Sequence, residues 1–122
     1  VNIMGYTAAL AAYRDGGPCL EALLGYLQGN RDYLVERLNR QTAIRVAKPE
    51  GTYLAWLDCR DLGLASPPEA FFLERARVAL GGGAGFGHGG EGFLRLNFGC
   101  RRATLEESLD RMCAALDGHA PR

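Results

Sequence analysis

Arg95 is a cationic residue inside an apolar stretch, residues 93–98, that reads FLRLNF. Successive side chains of a strand point to opposite faces, so this arginine lies opposite the two leucines that flank it. A guanidinium held in a strand by packed neighbours presents a planar fork of N–H donors that fits a carboxylate. The alternative is a structural arginine paired with a local acid such as Glu91 or Asp58. The residues themselves leave both interpretations open.

A glycine-dense segment precedes this strand, with nine glycines in residues 81–99. It satisfies the GxGxxG pattern twice, beginning at Gly85 and at Gly87. In a dinucleotide-binding fold that pattern follows a strand and opens a helix, whose N-terminus binds the phosphates. Here the pattern precedes a strand, so we favour a flexible or tightly turned loop over a phosphate site.

Charge and cysteine content argue against several other kinds of site. The 122 residues carry 14 basic and 14 acidic side chains, a balance that argues against a nucleic-acid partner or an anionic membrane surface. Neither histidine lies at metal-ligand spacing from a cysteine, so no metal site is predicted. The cysteines form no CxxC pair and are interpreted as free thiols in a reducing cytoplasm; they are Cys19, Cys59, Cys100 and Cys113.

Hydrophobic periodicity predicts an α/β fold with helices packed on a small mixed sheet. The longest predicted element is a helix over residues 19–40, which at 1.5 Å per residue is a rod of about 30 Å. Capping boxes at Ser66 and at Thr104 are predicted to start the last two helices. The other predicted elements are helices at 1–14, 66–79 and from 104 onward, and strands at 44–46, 52–58 and 93–98.

The strand at 52–58, which reads TYLAWLD, has apolar residues on both of its alternating faces. This pattern is typical of a central strand that is covered on both sides. We therefore expect Tyr53 and Trp56 to fill the core. An aromatic platform for a ligand is the less favoured alternative.

Four motifs together resemble a known family. They are PEGTYLAWLDCR at 49–60, FFLERARVAL at 71–80, FGHGGEGFLRLNFGC at 86–100 and RATLEESLDRM at 102–112. They resemble the C-terminal segment of fold-type I pyridoxal-phosphate (PLP) enzymes of aminotransferase class I/II. Within that class they are most similar to the cystathionine β-lyase-like (MalY/PatB) group. The early segments AAYRDGG and YLQGNRDYLVERL are similar too, so the resemblance covers almost the whole chain.

The resemblance implies a role for Arg95 and a division of the chain. The arginine of the FLRLNFG motif would bind the α-carboxylate of an amino-acid substrate, with the glycine loop near the substrate entrance. Residues 1–18 would be a remnant of the large cofactor domain, and residues 19–122 the C-terminal small domain with its long linking helix. Two positions depart from the family, since Gly82 and Arg101 stand where prolines are usual, which implies a looser loop and a different turn.

The resemblance also implies that the cofactor site lies elsewhere. The lysine that forms a Schiff base with PLP, the phosphate cup and the partner of the pyridine nitrogen would all lie upstream of Val1. Lys48, the only lysine, matches none of these. We therefore expect the full-length enzyme, a cytoplasmic homodimer, to be a PLP-dependent aminotransferase or carbon–sulfur β-lyase, and this fragment to be inactive and without bound cofactor. The alternative is a stand-alone, non-catalytic α/β binding or interaction domain.

Overall fold

The computed structural model describes residues 2–119 and is a mixed α/β structure, so the predicted fold class is confirmed. Its elements, in chain order, are α1 (Ile3–Asp15), α2 (Gly17–Gln41), β1 (Arg45–Val46), β2 (Leu54–Asp58), α3 (Pro68–Ala76), β3 (Gly81–Gly82), β4 (Phe93–Asn97) and α4 (Arg102–Asp117). Short 3₁₀ turns occupy Arg60–Leu62 and Gly83–Phe86. Within the described part of the chain, none of the helices is both long and apolar enough to cross a membrane.

The four strands form one sheet in the order β1-β2-β4-β3, and every neighbouring pair is antiparallel. This differs from the mixed sheet that we predicted. The chain from β2 through α3 to β3 does run as a strand–helix–strand crossover, so β2 and β3 point the same way. However, β4 inserts between them and runs in the opposite direction, which leaves no parallel neighbours.

The helices α2, α3 and α4 cover one face of this sheet, whereas α1 has no buried residue. The core combines leucines of β2 and β4 with residues of α2, α3 and α4; its fully buried members include Leu34, Leu38, Leu57, Phe72, Leu94, Leu105, Leu109 and Met112. The central position of β2 is confirmed, but the expectation that Tyr53 and Trp56 fill the core is wrong. Tyr53 is 49% exposed because it precedes the strand, and Trp56 is 40% exposed because it alternates onto the face without helices.

Neither predicted capping box forms. The helix α3 begins after Pro67 and α4 after Arg101, and neither helix has a side-chain cap of its own. In α4 the first backbone N–H, that of Arg102, donates instead to the Tyr26 hydroxyl of α2 at 2.6 Å. A contact between distant parts of the chain thus replaces the local one, and the helix starts two residues earlier than Thr104.

Asn30 of α2 fixes the end of β4. Its side chain is fully buried, and its amide nitrogen donates to the carbonyls of Phe98 and Cys100 at 3.0 and 2.9 Å. These carbonyls follow the strand at the point where ladder pairing stops, so the amide supplies a donor to one buried and one partly buried acceptor. The long helix and the strand that carries Arg95 are thereby held in one relative position.

We predict that Asn30→Ala lowers the free energy of unfolding by about 2 kcal/mol, because it leaves the buried carbonyl of Phe98 and the partly buried carbonyl of Cys100 without their donor. Urea denaturation measures the change. The matched control is Gln28→Ala, an exposed site on the same helix, which should change stability by less than about 0.5 kcal/mol. Equal stability of the two variants would contradict the clamping role of Asn30.

Candidate functional site

Arg95 projects from the middle of β4 on the face without helices. It lies opposite Trp56 of β2 on one side and opposite Gly81 of β3 on the other. Because Leu94 and Leu96 on either side of it are buried in the core, the strand cannot rotate to hide the arginine. The alternation predicted from the sequence is confirmed, and Arg95 is held in a defined place with an exposed side chain.

The acids that were possible partners of Arg95 are engaged elsewhere. Asp58 accepts two hydrogen bonds from the Arg60 guanidinium, at 2.9 and 2.7 Å, and Glu91 accepts one from the backbone N–H of Gly89 at 3.1 Å. Within residues 2–119, the Arg95 side chain has neither an ion pair nor a hydrogen bond. Its positive charge is therefore not compensated by a neighbouring carboxylate.

An aromatic row crosses the open face beside Arg95 and consists of Phe86, Trp56 and Phe93. Trp56 stacks on Phe93 with ring centroids 5.7 Å apart and meets Phe86 edge-on, also at 5.7 Å. A guanidinium caps each end, since Arg95 lies 4.5 Å from the Phe86 centroid and Arg60 lies 4.6 Å from that of Phe93. Sequence reasoning missed this row because Phe86 belongs to the glycine segment and no periodic pattern links it to the strands.

The glycine segment folds as a tight loop that places Phe86 over the sheet. Its base is closed where Gly83 and Gly90 meet, since a Cβ on either would lie 2.1 Å from the carbonyl oxygen of the other. Gly87 and Gly89 adopt positive φ angles of 119° and 87° at the tip. The segment leads into β4 and not into a helix, which agrees with a tightly turned loop. At Gly82 the chain pairs with β4 instead of loosening.

A cleft of about 310 Å³ opens beside Arg95 where the sheet edge diverges from the helices. It lies between the connection from α3 to β3 and the first turns of α4, and its walls include Arg95, Cys100, Thr104 and Ser108. Its size is at the lower end of that of small-molecule sites. Among the described residues, no group of three or more His, Cys, Asp or Glu is placed to hold a metal ion.

Two ionisable groups near the row have shifted pKa values. Hydrogen bonds from Arg60 hold the pKa of the Asp58 carboxyl below its usual range, so this acid stays ionised and paired. Burial, reinforced by the charge of Asp58, raises the pKa of the Cys59 thiol to about 12. A thiol with so high a pKa is protonated at neutral pH and is a poor nucleophile.

We predict that Cys59 resists alkylation while Cys19 reacts. Cys19 is exposed, whereas Cys59 is 3% exposed and its pKa lies far above the working pH. After treatment with iodoacetamide at pH 8.5, peptide mass spectrometry should find Cys19 labelled at least about 100-fold faster. Comparable labelling of both thiols in the folded protein would contradict the buried position of Cys59.

Comparison with known proteins identifies the family of this chain. Residues 4–112 match the family model described as "Aminotransferase class I and II". The chain is 39% identical to cystathionine β-lyase PatB of Bacillus subtilis over 118 residues, which is 95% of this chain and 30% of that protein. It is 36% identical to protein MalY of Escherichia coli over 117 residues, which is 94% of this chain and 30% of that protein.

A solved structure shows the same arrangement of elements. The PLP-bound C-S lyase from Staphylococcus hominis is 31% identical and superposes with a TM-score of 0.90 over 97% of this chain and 32% of that one. The chain therefore spans about 30% of the length of the curated relatives that it matches. The resemblance inferred from the four motifs is confirmed, and the chain belongs to the class I and II aminotransferase family, close to its cystathionine β-lyases.

Proposed function

We propose that this chain is the C-terminal, substrate-carboxylate-binding part of an enzyme that acts on amino acids, a PLP-dependent aminotransferase or carbon–sulfur β-lyase. One observation carries the proposal. Arg95 is fixed by buried neighbours on an open sheet face, and within residues 2–119 the nearby carboxylates of Asp58 and Glu91 have other partners. Such a guanidinium can donate hydrogen bonds to an anion from outside the chain.

The proposed role of Arg95 is to position the α-carboxylate of the substrate. Two parallel N–H···O bonds to an α-carboxylate fix both the place and the plane of that group, and so orient the bonds at the neighbouring α-carbon. The arginine keeps its proton throughout, so it does no acid–base chemistry. We propose that a residue other than Arg95 carries out any proton transfer at the α-carbon.

Several relatives of the chain carry PLP, which supplies an electron sink for charge that develops at the α-carbon. The described residues do not fit the site of that cofactor. Lys48, the only lysine, forms an ion pair with Asp32 at 2.9 Å, and Asp32 also accepts a hydrogen bond from Arg31. Lys48 follows β1, which is separated from β4 by β2. We propose that the full-length protein binds PLP through residues outside this chain. Its cytoplasmic location stays a prediction.

The helix α1 supports the proposed division into a large-domain remnant and a small domain. It has no buried residue, and its apolar side chains are exposed, with Ile3 at 78%, Met4 at 75% and Leu10 at 56%. A contiguous exposed apolar surface is typical of a face that packs on another body. We propose that this body is the large cofactor domain of the same polypeptide, with a second copy completing a homodimer. The proposed boundary at residue 18 falls in the first turn of α2, which begins at Gly17.

A stand-alone, non-catalytic binding domain is the competing function. It would have the same scaffold and would use Arg95 to hold an anionic partner. Residues coded upstream of Val1 discriminate the two, because a Schiff-base lysine in a cofactor-sized domain supports the enzyme. A native start codon close to Val1 would support the binding domain.

We predict that Arg95→Ala in the full-length protein lowers kcat/KM for amino acids at least about 100-fold, because two charge-assisted hydrogen bonds are lost. Two assays cover the two reactions: pyruvate release from cystathionine, and amino-group transfer to a keto acid. The cofactor absorbance should stay unchanged. Arg95→Lys should also be impaired, since a point charge cannot replace the planar fork.

Arg40→Gln is the matched control, because it removes an exposed guanidinium that is paired with Glu36 on α2 and not on the sheet. This variant should keep kcat/KM within about threefold of the wild type, as expected for a largely exposed ion pair. Full turnover by Arg95→Ala, or an equal loss in both arginine variants, would contradict the proposed carboxylate site.

We also predict that the 122-residue chain self-associates through the exposed face of α1. Light scattering at high concentration should give a mass above that of a monomer, because the apolar side chains lack a covering body. Replacing Met4 and Leu10 by glutamate should restore the monomer. A clean monomer of the unmodified chain would count against the packing role of α1.

A further inference from the structure

The Arg95 guanidinium lies over the Phe86 ring. The Cζ atom of Arg95 lies 4.5 Å from the centroid of the Phe86 ring, which is within the range of a cation–π contact. The guanidinium makes no hydrogen bond within residues 2–119, and Phe86 is the aromatic side chain that lies against it.

The position of Phe86 is not explained by core packing. Its side chain is 55% exposed, whereas the core phenylalanines Phe72 and Phe98 are almost completely buried. Two contacts hold it over the sheet nevertheless. The edge-on contact with Trp56 has an interplanar angle of 79°, and the 3₁₀ turn that carries Phe86 starts at the narrow Gly83–Gly90 closure. The loop therefore presents one exposed aromatic ring directly to the arginine.

A guanidinium that is stacked on a ring keeps all of its N–H groups in its own plane and free at its edges. A carboxylate that binds through two of them must lie in that same plane. We infer that Phe86 is a positioning residue: it fixes the plane of the Arg95 guanidinium and so orients the bound α-carboxylate. This inference rests on the proposed carboxylate role of Arg95, and it assigns the glycine loop a part in substrate binding.

The test measures carboxylate binding separately from turnover, in the full-length holoenzyme. Propionate, a carboxylate without an amino group, serves as a competitive inhibitor. Phe86→Leu should raise the Ki of propionate and the KM of the amino acid by the same factor, about fivefold, and change kcat less. Phe86→Tyr, which keeps the aromatic face, should return both constants to within about twofold of the wild type.

Two controls separate this role from a general effect on the fold. Leu73→Ala truncates an apolar side chain on α3 that is 52% exposed, and should leave both constants unchanged. In an Arg95→Gln background, which lacks the cation, Phe86→Leu should have no further effect on the Ki of propionate.

Each outcome distinguishes the inference from the proposed function. If Arg95→Gln weakens propionate but Phe86→Leu does not, the inference is wrong and the carboxylate site stands. If Phe86→Leu is equally harmful with and without the guanidinium, the residue acts through the loop and the inference is also wrong. If Arg95→Gln changes neither the Ki of propionate nor the KM of the amino acid, both the proposed function and the inference are wrong.

Discussion

The alternation of β4 is the constraint on which the rest of this structure depends. Leu94 and Leu96 are buried on the helical side, with exposed fractions of 0% and 3%, and they force Arg95 to the opposite side. Rotating the strand to hide the charge would expose both leucines and cost about 3 to 6 kcal/mol. Pairing with β2 and β3 on both edges, and the Asn30 amide at the end of the strand, remove the remaining freedom.

The electrostatics around the strand follow from this placement. Asp58 would be the natural partner for a cation on this face, but Arg60, two residues later, takes both of its oxygens. The Asp58 pKa is lowered by these bonds, so their contribution to stability is present above the usual carboxyl pKa and lost as the pH falls. Both groups are partly exposed, so the contribution is small. Its larger consequence is that the positive charge of Arg95 is left for a ligand.

Sequence reasoning predicted what depends on local patterns. The period of two around Arg95 and the spacing of Leu34 and Leu38 in α2 each have one dominant physical cause, which is burial of an apolar face. The first three leucines of α2 share that spacing but are about half exposed. The helix start was wrong at Thr104 because a tertiary contact, that of the Tyr26 hydroxyl, replaces the local cap of α4. It was also wrong at Ser66, since α3 begins after Pro67 without a side-chain cap. The two-residue strand β3 could not be recognised within a run of glycines, since its pairing depends on β4.

The aromatic row was also beyond local reasoning. Phe86 and Trp56 are 30 positions apart in the sequence. Nothing in this spacing indicates that the two rings meet, or that Phe86 lies against the Arg95 guanidinium. Thr52 is a similar case, since its φ of 62° is imposed by the turn into β2 and is unusual for a β-branched residue. Such features arise only when distant segments meet. The aromatic contacts also distinguish Arg95, as a candidate carboxylate-binding residue, from an arginine that is simply exposed on a strand.

The most direct test of the central claim is a crystal structure of the full-length protein with an amino acid bound. Our account predicts both α-carboxylate oxygens about 3 Å from the Arg95 guanidinium nitrogens, in the plane that Phe86 covers. A carboxylate held by a different arginine, with Arg95 still free in solvent, would contradict it.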